Sequence, residues 1–328
     1  MSSAYKLNNM EQKLKQQDTT TAFAVAPGVW GRKDLFVNFY IIHDQVSGEW
    51  ALVDAGLKWS ATQIKKMAVE IFGNDRPPVA IILTHGHFDH VGALQSLLEE
   101  WPVPVYAHEM EVPYLTGQSD YPPADPTVGG GLMAAMSFLY PTGPIDIREH
   151  VRPLPYDEKI PGLPEWKYLH TPGHSPGHIS LFRDRDKVLI AGDAFVTTKS
   201  ESVLATIMQT KRVSGPPKYL TSNWASAKLS VLKLAALRPE IVASGHGKPM
   251  QGKEMQQQLD LLSRHFDQEA VPNHGRYVNE PAVTNEMGVA FLPHRKERIP
   301  PALKVVAASI LFLSVAYIGY RQAQKHLS

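Results

Sequence analysis

Ile81-Ile82-Leu83-Thr84-His85-Gly86-His87-Phe88-Asp89-His90-Val91-Gly92-Ala93-Leu94 is the stretch around which the rest of the chain is read. Its isoleucine-rich start predicts a buried strand. The strand empties into a short turn that holds three histidines and an aspartate. Val91, Leu94, Leu97 and Leu98 then take up helical spacing. The imidazoles therefore fall at the carboxyl end of a strand, where open α/β sheets place their sites. His85 and His87 are two apart and point the same way in an extended segment, while Asp89 and His90 follow at the mouth of the helix, turned to another side. One metal ion suits the first pair and a second ion the next. Gly86 and Gly92 let the backbone approach closely. Packing gives no reason for so many ligand-type side chains in one turn; metal ligation does.

His-x-His-x-Asp-His after a strand resembles the signature of the metallo-β-lactamase-fold hydrolases, and the later motifs of that family follow in order. His174 lies in His170-Thr171-Pro172-Gly173-His174-Ser175-Pro176-Gly177-His178. Asp193 lies in Leu189-Ile190-Ala191-Gly192-Asp193-Ala194, and His246 in Ile241-Val242-Ala243-Ser244-Gly245-His246-Gly247. Asp54, in Leu52-Val53-Asp54-Ala55-Gly56, matches the family's early aspartate. The likeness runs over residues 22–266.

The resemblance implies a four-layer αββα sandwich of two mixed β-sheets flanked by helices. It implies two Zn2+ per chain: one held by His85, His87 and His174, the second by Asp89, His90 and His246, with Asp193 bridging them. A hydroxide shared by the ions would attack a carbonyl or phosphoryl centre. Asp89 and Asp54 are the aspartates expected to serve catalysis, Asp54 by orienting a ligand histidine. The run from Thr171 to His178 is similar to the glyoxalase II and lactonase branch, which implies a small acyl substrate: a lactone, ester or thioester. The glutathione-binding domain of glyoxalase II is not recognisable in the tail. Two other readings stand beside this one: a persulfide-type dioxygenase with one iron on a similar histidine set, and a non-catalytic, membrane-tethered metal-binding protein. Flavodiiron proteins carry a glutamate where His87 stands. RNA-cleaving relatives share the first motif, but no basic run accompanies it here.

Composition sets the outer limits. The 328 residues are 43% hydrophobic and 20% charged, which is globular. A formal net charge of +1 gives no electrostatic case for nucleic acid, so a small molecule is the expected partner. With no cysteine, disulfides and thiolate ligands are excluded, and any metal must be held by nitrogen and oxygen.

Residues 1–20 are polar and aperiodic and read as a loosely ordered start without the apolar core of a signal peptide. The catalytic domain is expected over residues 21–268. Strands are predicted for Phe23 to Trp30, Leu35 to Ile42 and Trp50 to Asp54, the last two joined by a turn at Val46-Ser47-Gly48-Glu49. A helix follows from Ser60 to Phe72, with Ser60 as its cap. Residues 113–164 are proline-rich and contain Gly129-Gly130-Gly131 ahead of one apolar helix; the segment reads as an excursion near the site, either a lid or a surface insertion. Strands resume at Trp166 to His170, Ile179 to Arg183, Val188 to Ala191 and Ile241 to Ser244, with helices over Ser222 to Leu237 and Gly252 to Phe266. His178 is expected to support its turn, and His170 and His108 to have no metal role.

Residues 269–300 read as a polar linker. Val305 to Tyr320 carries no charge and no proline and is apolar all round. Residues 301–321 are therefore expected to form a transmembrane or membrane-anchoring helix, with Tyr317 and Tyr320 at the interface. The excess of Arg295, Lys296, Arg298 and Lys304 over Arg321 and Lys325 would leave the catalytic domain cytoplasmic.

Overall fold

The structure, a computed structural model, describes residues 22–73, 76–208 and 210–294. Two mixed sheets dominate it. The first has seven strands in chain order: β1 (Phe23–Ala26), β2 (Val29–Asp34), β3 (Val37–His43), β4 (Trp50–Val53), β5 (Ala80–Ile82), β6 (Val105–Ala107) and β7 (Val151–Pro153). Pairing is antiparallel from β1 to β4 and parallel from β4 to β7. The second sheet is ordered β12-β11-β10-β9-β8, from β8 (Trp166–His170), β9 (Ile179–Arg183), β10 (Val188–Ile190), β11 (Ile241–Ala243) and β12 (Met250–Gln251). Its β10 and β11 run parallel; the other pairs are antiparallel.

Alternation along the strands decides what lies between the layers. On β3, Tyr40 and Ile42 face the second sheet, where they join Val53, Ile82, Trp166, Leu181 and Ile190 in one buried cluster. Phe39 and Ile41 point the other way, into a cluster with helix α1 (Ala61–Phe72). The helix contributes Ile64, Met67, Ala68 and Ile71, spaced for one face. The outer face of the second sheet is closed likewise: Phe182, Leu189 and Val242 meet Val231 and Leu234 of Trp224–Ala236 and Met255, Leu259 and Leu262 of Gly252–Arg264. Helix, sheet, sheet and helix thus form four layers with three apolar seams, the arrangement that the resemblance implied.

Several sequence expectations change. Phe23 to Trp30 is not one strand. A turn at Pro27-Gly28, with Gly28 at φ +73°, folds β1 back on β2, pairing Ala26 with Val29. Ser60 does not cap α1 with its side chain. Its hydroxyl instead donates to Asp34 Oδ2 and accepts from the Leu57 amide, tying the loop after β4 to β2. The helix after the histidine turn is broken into α2 (Phe88–Val91) and α3 (Leu94–Glu100). The break falls where Gly92 donates to Gly56 O at 2.8 Å; a β-carbon there would lie 2.5 Å from Lys58 N.

The excursion over residues 113–164 holds single helical turns, the end of Val112–Leu115, Leu132–Ala135 and Ser137–Leu139, and contributes β7 to the first sheet. Residues 269–294 are not a linker. They carry a hairpin of β13 (Val283–Asn285) and β14 (Gly288–Phe291) and are tied to the excursion and to the sandwich. Tyr277 Oη donates to Pro123 O at 2.7 Å, Val289 N donates to Ser119 Oγ at 3.1 Å, and Tyr277 and Ala282 are buried in the outer cluster of the second sheet. The helix expected over 301–321 lies outside the described residues. Among the described residues, no helix is long and apolar enough to cross a membrane.

Candidate metal centre

Every residue expected at the site sits just past the carboxyl end of a strand. Asp54 follows β4. His85 and His87 lie in the loop after β5, and Asp89 and His90 in the first turn of α2. His174 follows β8, Asp193 follows β10 and His246 follows β11. All eight are buried. The first sheet supplies five of them and the second sheet three, so the centre forms where the two sheets meet.

The ligand atoms converge in three overlapping groups, each within 4.8 Å: His85, His87 and His174; His85, His90 and Asp193; and Asp89, His90 and His246. His87 Nδ1 lies 3.0 Å from His174 Nε2. Asp193 Oδ2 lies 3.0 Å from His246 Nε2, 3.5 Å from His174 Nε2 and 3.8 Å from His90 Nε2. Asp193 thus touches both halves of the cluster.

Hydrogen bonds behind the histidines decide which nitrogens carry lone pairs. His246 Nδ1 lies 2.7 Å from Phe36 O, a carbonyl that can only accept, so Nδ1 holds the proton. Thr221 Oγ1 donates to Pro217 O and therefore accepts from His174 Nδ1 at 3.2 Å. Asp54 Oδ2 accepts from both His90 Nδ1 and Thr84 Oγ1, each at 2.8 Å, while Oδ1 accepts from the Thr84 amide at 2.7 Å. Having given its proton to Asp54, Thr84 Oγ1 accepts from His85 Nδ1 at 3.0 Å. On all four rings Nδ1 holds a hydrogen for the outer bond, so Nε2 is the nitrogen turned inward as the ligand position. Imidazole nitrogens and carboxylates therefore crowd one another at the centre, and His85 Nε2, His90 Nε2 and Asp193 Oδ1 are buried without a hydrogen-bond partner. Cations satisfy such a set; packing does not.

Burial, reinforced by the neighbouring histidines, holds His87 down at about 3 and depresses His85 and His174 well below the usual imidazole range. Burial also opposes the charge on His90, but Asp54, Asp89 and Asp193 outweigh it and push His90 up to about 10. His246 is raised as well, burial again being outweighed, chiefly by Asp193. Burial likewise opposes ionisation of Asp193, but His246, His90 and His174 hold its carboxyl below the carboxylate range. Burial, helped by the charge on Asp193, raises Asp89 against the pull of His90 and His246.

His178 is not one of the converging ligands. Its Nε2 accepts from the Asp193 amide at 2.8 Å, and its Nδ1 pairs with Thr171 Oγ1 at 2.9 Å, so both nitrogens are used. His170 bonds Pro176 O and stacks on His108 with centroids 3.8 Å apart, away from the cluster.

Sequence reasoning missed the supports. Phe36, at the tip of the β2–β3 hairpin, is one. Asn38 is another: its Nδ2 donates to Ser244 O at 2.9 Å and Gly247 O at 2.7 Å, bracketing His246. The third is Glu111, fully buried between the loops of His87 and His174. Its burial raises the carboxyl against the hydrogen bonds that favour its charge. None carries a local signal, because each acts on residues far along the chain.

A two-sheet sandwich that gathers five histidines and two aspartates at its strand ends defines a metallo-hydrolase. The metallo-beta-lactamase superfamily model matches residues 32–246, and the chain belongs to that superfamily. It is 47% identical over 244 residues to the Bacillus subtilis (strain 168) protein called probable metallo-hydrolase YflN, covering 74% of this chain and 92% of that one. Probable metallo-hydrolase YybB of the same organism is 35% identical over 150 residues, 46% of this chain and 59% of its own length. Among solved structures, a Cronobacter sakazakii metallo-beta-lactamase HARLDQ motif mutant superposes with a TM-score of 0.50 at 19% identity, over 76% of this chain and 86% of that one, a likeness of fold.

Proposed function

We propose that this chain is a hydrolase of small acyl substrates (a lactone, ester or thioester) that works with two zinc ions. The observation that carries the reading is the set of buried, inward ligand atoms, His85 Nε2, His90 Nε2 and Asp193 Oδ1, with no hydrogen-bond partner. His85, His87 and His174 would hold one ion, and Asp89, His90 and His246 the other. Asp193, in reach of His174, His90 and His246, would serve both. When bound, such ions supply a water that ionises near neutral pH and an electrophile for the carbonyl oxygen.

The chain's own residues do the rest. Asp54 fixes the tautomers of His90 and, through Thr84, of His85. Phe36 O and Thr221 do the same for His246 and His174. Phe88, Tyr140 and Tyr219 form an aromatic series beside Asp89, with centroids 5.4 and 5.6 Å apart, and Tyr121 lies 4.6 Å from His87. Such walls suit an apolar acyl group and keep bulk water from the reacting bond. Tyr121 and Tyr140 come from the 113–164 excursion, which favours a cover over the site rather than a remote insertion. Its backbone glycines 130 and 131 rest on Glu201, and Val128 and Ala134 pack with Tyr219 and Leu220.

The test is elemental analysis of protein purified without chelator, followed by turnover on a panel of lactones, esters, thioesters and phosphodiesters. Two zinc ions per chain and turnover confined to acyl substrates are expected. Full activity with one iron and no zinc would overturn the reading. The membrane-anchoring helix over 301–321 belongs to the same proposal, on the apolar run alone.

A further inference from the structure

We infer that Glu111 is a positioning residue for the metal centre: one buried carboxylate sets the spacing between the His85–His87 loop and the His174 loop. The inference rests on the two-ion reading above. Glu111 accepts four hydrogen bonds. Oε2 takes the Gly86 amide at 2.9 Å and the Tyr121 hydroxyl. Oε1 takes the Ser175 hydroxyl at 2.8 Å and the Gly177 amide at 2.7 Å. Each oxygen therefore serves one ligand loop. Gly86 lies between His85 and His87, and Ser175 directly follows His174. Tyr121 Oη also accepts from the Gly86 amide at 2.9 Å, and its ring packs on His87.

The two glycines belong to the same device. A β-carbon on Gly177 would stand 2.8 Å from Glu111 Cγ, and one on Gly86 would collide with Tyr121 Oη. The Gly in His-Gly-His and the Gly in Pro-Gly-His thus let one carboxylate reach both loops. Their separation places His87 Nδ1 and His174 Nε2 3.0 Å apart. No such link runs from Glu111 to Asp89, His90 or His246 among the described residues. Its effect should therefore fall on one ion and spare the other.

Glu111→Gln tests this, because a glutamine must point two N–H groups at one pair of donors. Apo full-length protein is titrated with Co2+ and with Zn2+ against a chromophoric chelator, with thermal unfolding of each apo protein recorded alongside. Glu111→Gln is expected to weaken one of the two binding steps by about 10–100-fold, the range for supports of ligating groups, and to leave the other step unchanged. Tyr121→Phe and Ser175→Ala each delete one donor and should weaken the same step by smaller factors, which keeps the test open if Glu111→Gln does not fold. Two binding steps of wild-type affinity in folded Glu111→Gln, or in both single-donor variants, would overturn the inference and leave the two-ion reading standing. A lowered melting temperature with unchanged affinities would overturn it too. Wild-type protein that binds no metal would instead remove the reading on which it rests.

Discussion

Asp54→Asn is the sharpest probe of the centre, because it changes the protonation pattern while keeping size and shape. Asp54 accepts three hydrogen bonds, two of them on Oδ2, from His90 Nδ1 and Thr84 Oγ1. An asparagine keeps the bond to the Thr84 amide through its oxygen and turns an NH2 group toward the other two. His90 must then accept at Nδ1, which moves its proton to Nε2, the nitrogen aimed at the ions. Thr84 Oγ1 must also accept, so its hydroxyl turns to His85 Nδ1 and moves that ring's proton to Nε2 as well. One substitution thus blocks two ligands. The backbone should tolerate it, since residue 54 sits at φ +61° and asparagine is at home there. Loss of an orienting group costs about 10–100-fold in metal affinity per histidine. Both ions should be affected, because His85 belongs to one set and His90 to the other. The assay is competitive chelator titration of apo protein, with turnover at saturating metal and a melting curve as controls. Wild-type affinity for both ions in Asp54→Asn would refute the tautomer argument.

His87→Ala or His85→Ala should abolish turnover with the fold largely kept, and Asp193→Ala should be at least as severe; near-normal turnover at matched metal content would contradict the assignment. Metal loading at neutral pH must displace the protons that His90, held at about 10, and the raised His246 carry, whereas His87, at about 3, has none to lose. Affinity should therefore climb as pH rises from about 6 to about 9, with proton release visible by calorimetry in buffers of different ionisation enthalpy; a flat affinity would count against it. A chain ending at Glu297 is expected to keep turnover, since every proposed ligand precedes residue 247, and to stay in the supernatant under conditions where the full-length chain is expected to pellet with membranes; full-length protein that remains in the supernatant without detergent would speak for another role of the apolar run.

What the sequence discloses is what acts locally. His85 through His90 stand out because ligand-type side chains crowd one turn after an apolar run, and His174, Asp193 and His246 recur at other strand ends. The supports do not. Glu111 reaches Gly86, Ser175 and Gly177 across 25, 64 and 66 positions, and Phe36 meets His246 across 210. No spacing rule spans such distances. Strands of two or three residues, such as β7 and β12, are too short to show a period. The 269–294 segment reads as a linker because its burial comes from partners in the excursion and on the second sheet, not from a stripe of its own.

The centre takes His85, His87, Asp89 and His90 from one sheet and His174, Asp193 and His246 from the other. An ion seated there would rivet the two halves of the sandwich together, and anything that binds only the native form adds to its lifetime. At a free metal level a hundred times Kd, that gain is about 2.7 kcal/mol for one site. Scarcity of the ion would then act twice: it would silence the chemistry and, by loosening the seam between the sheets, expose the chain to proteases. The amount of this protein in a cell should track metal supply even when its synthesis does not change.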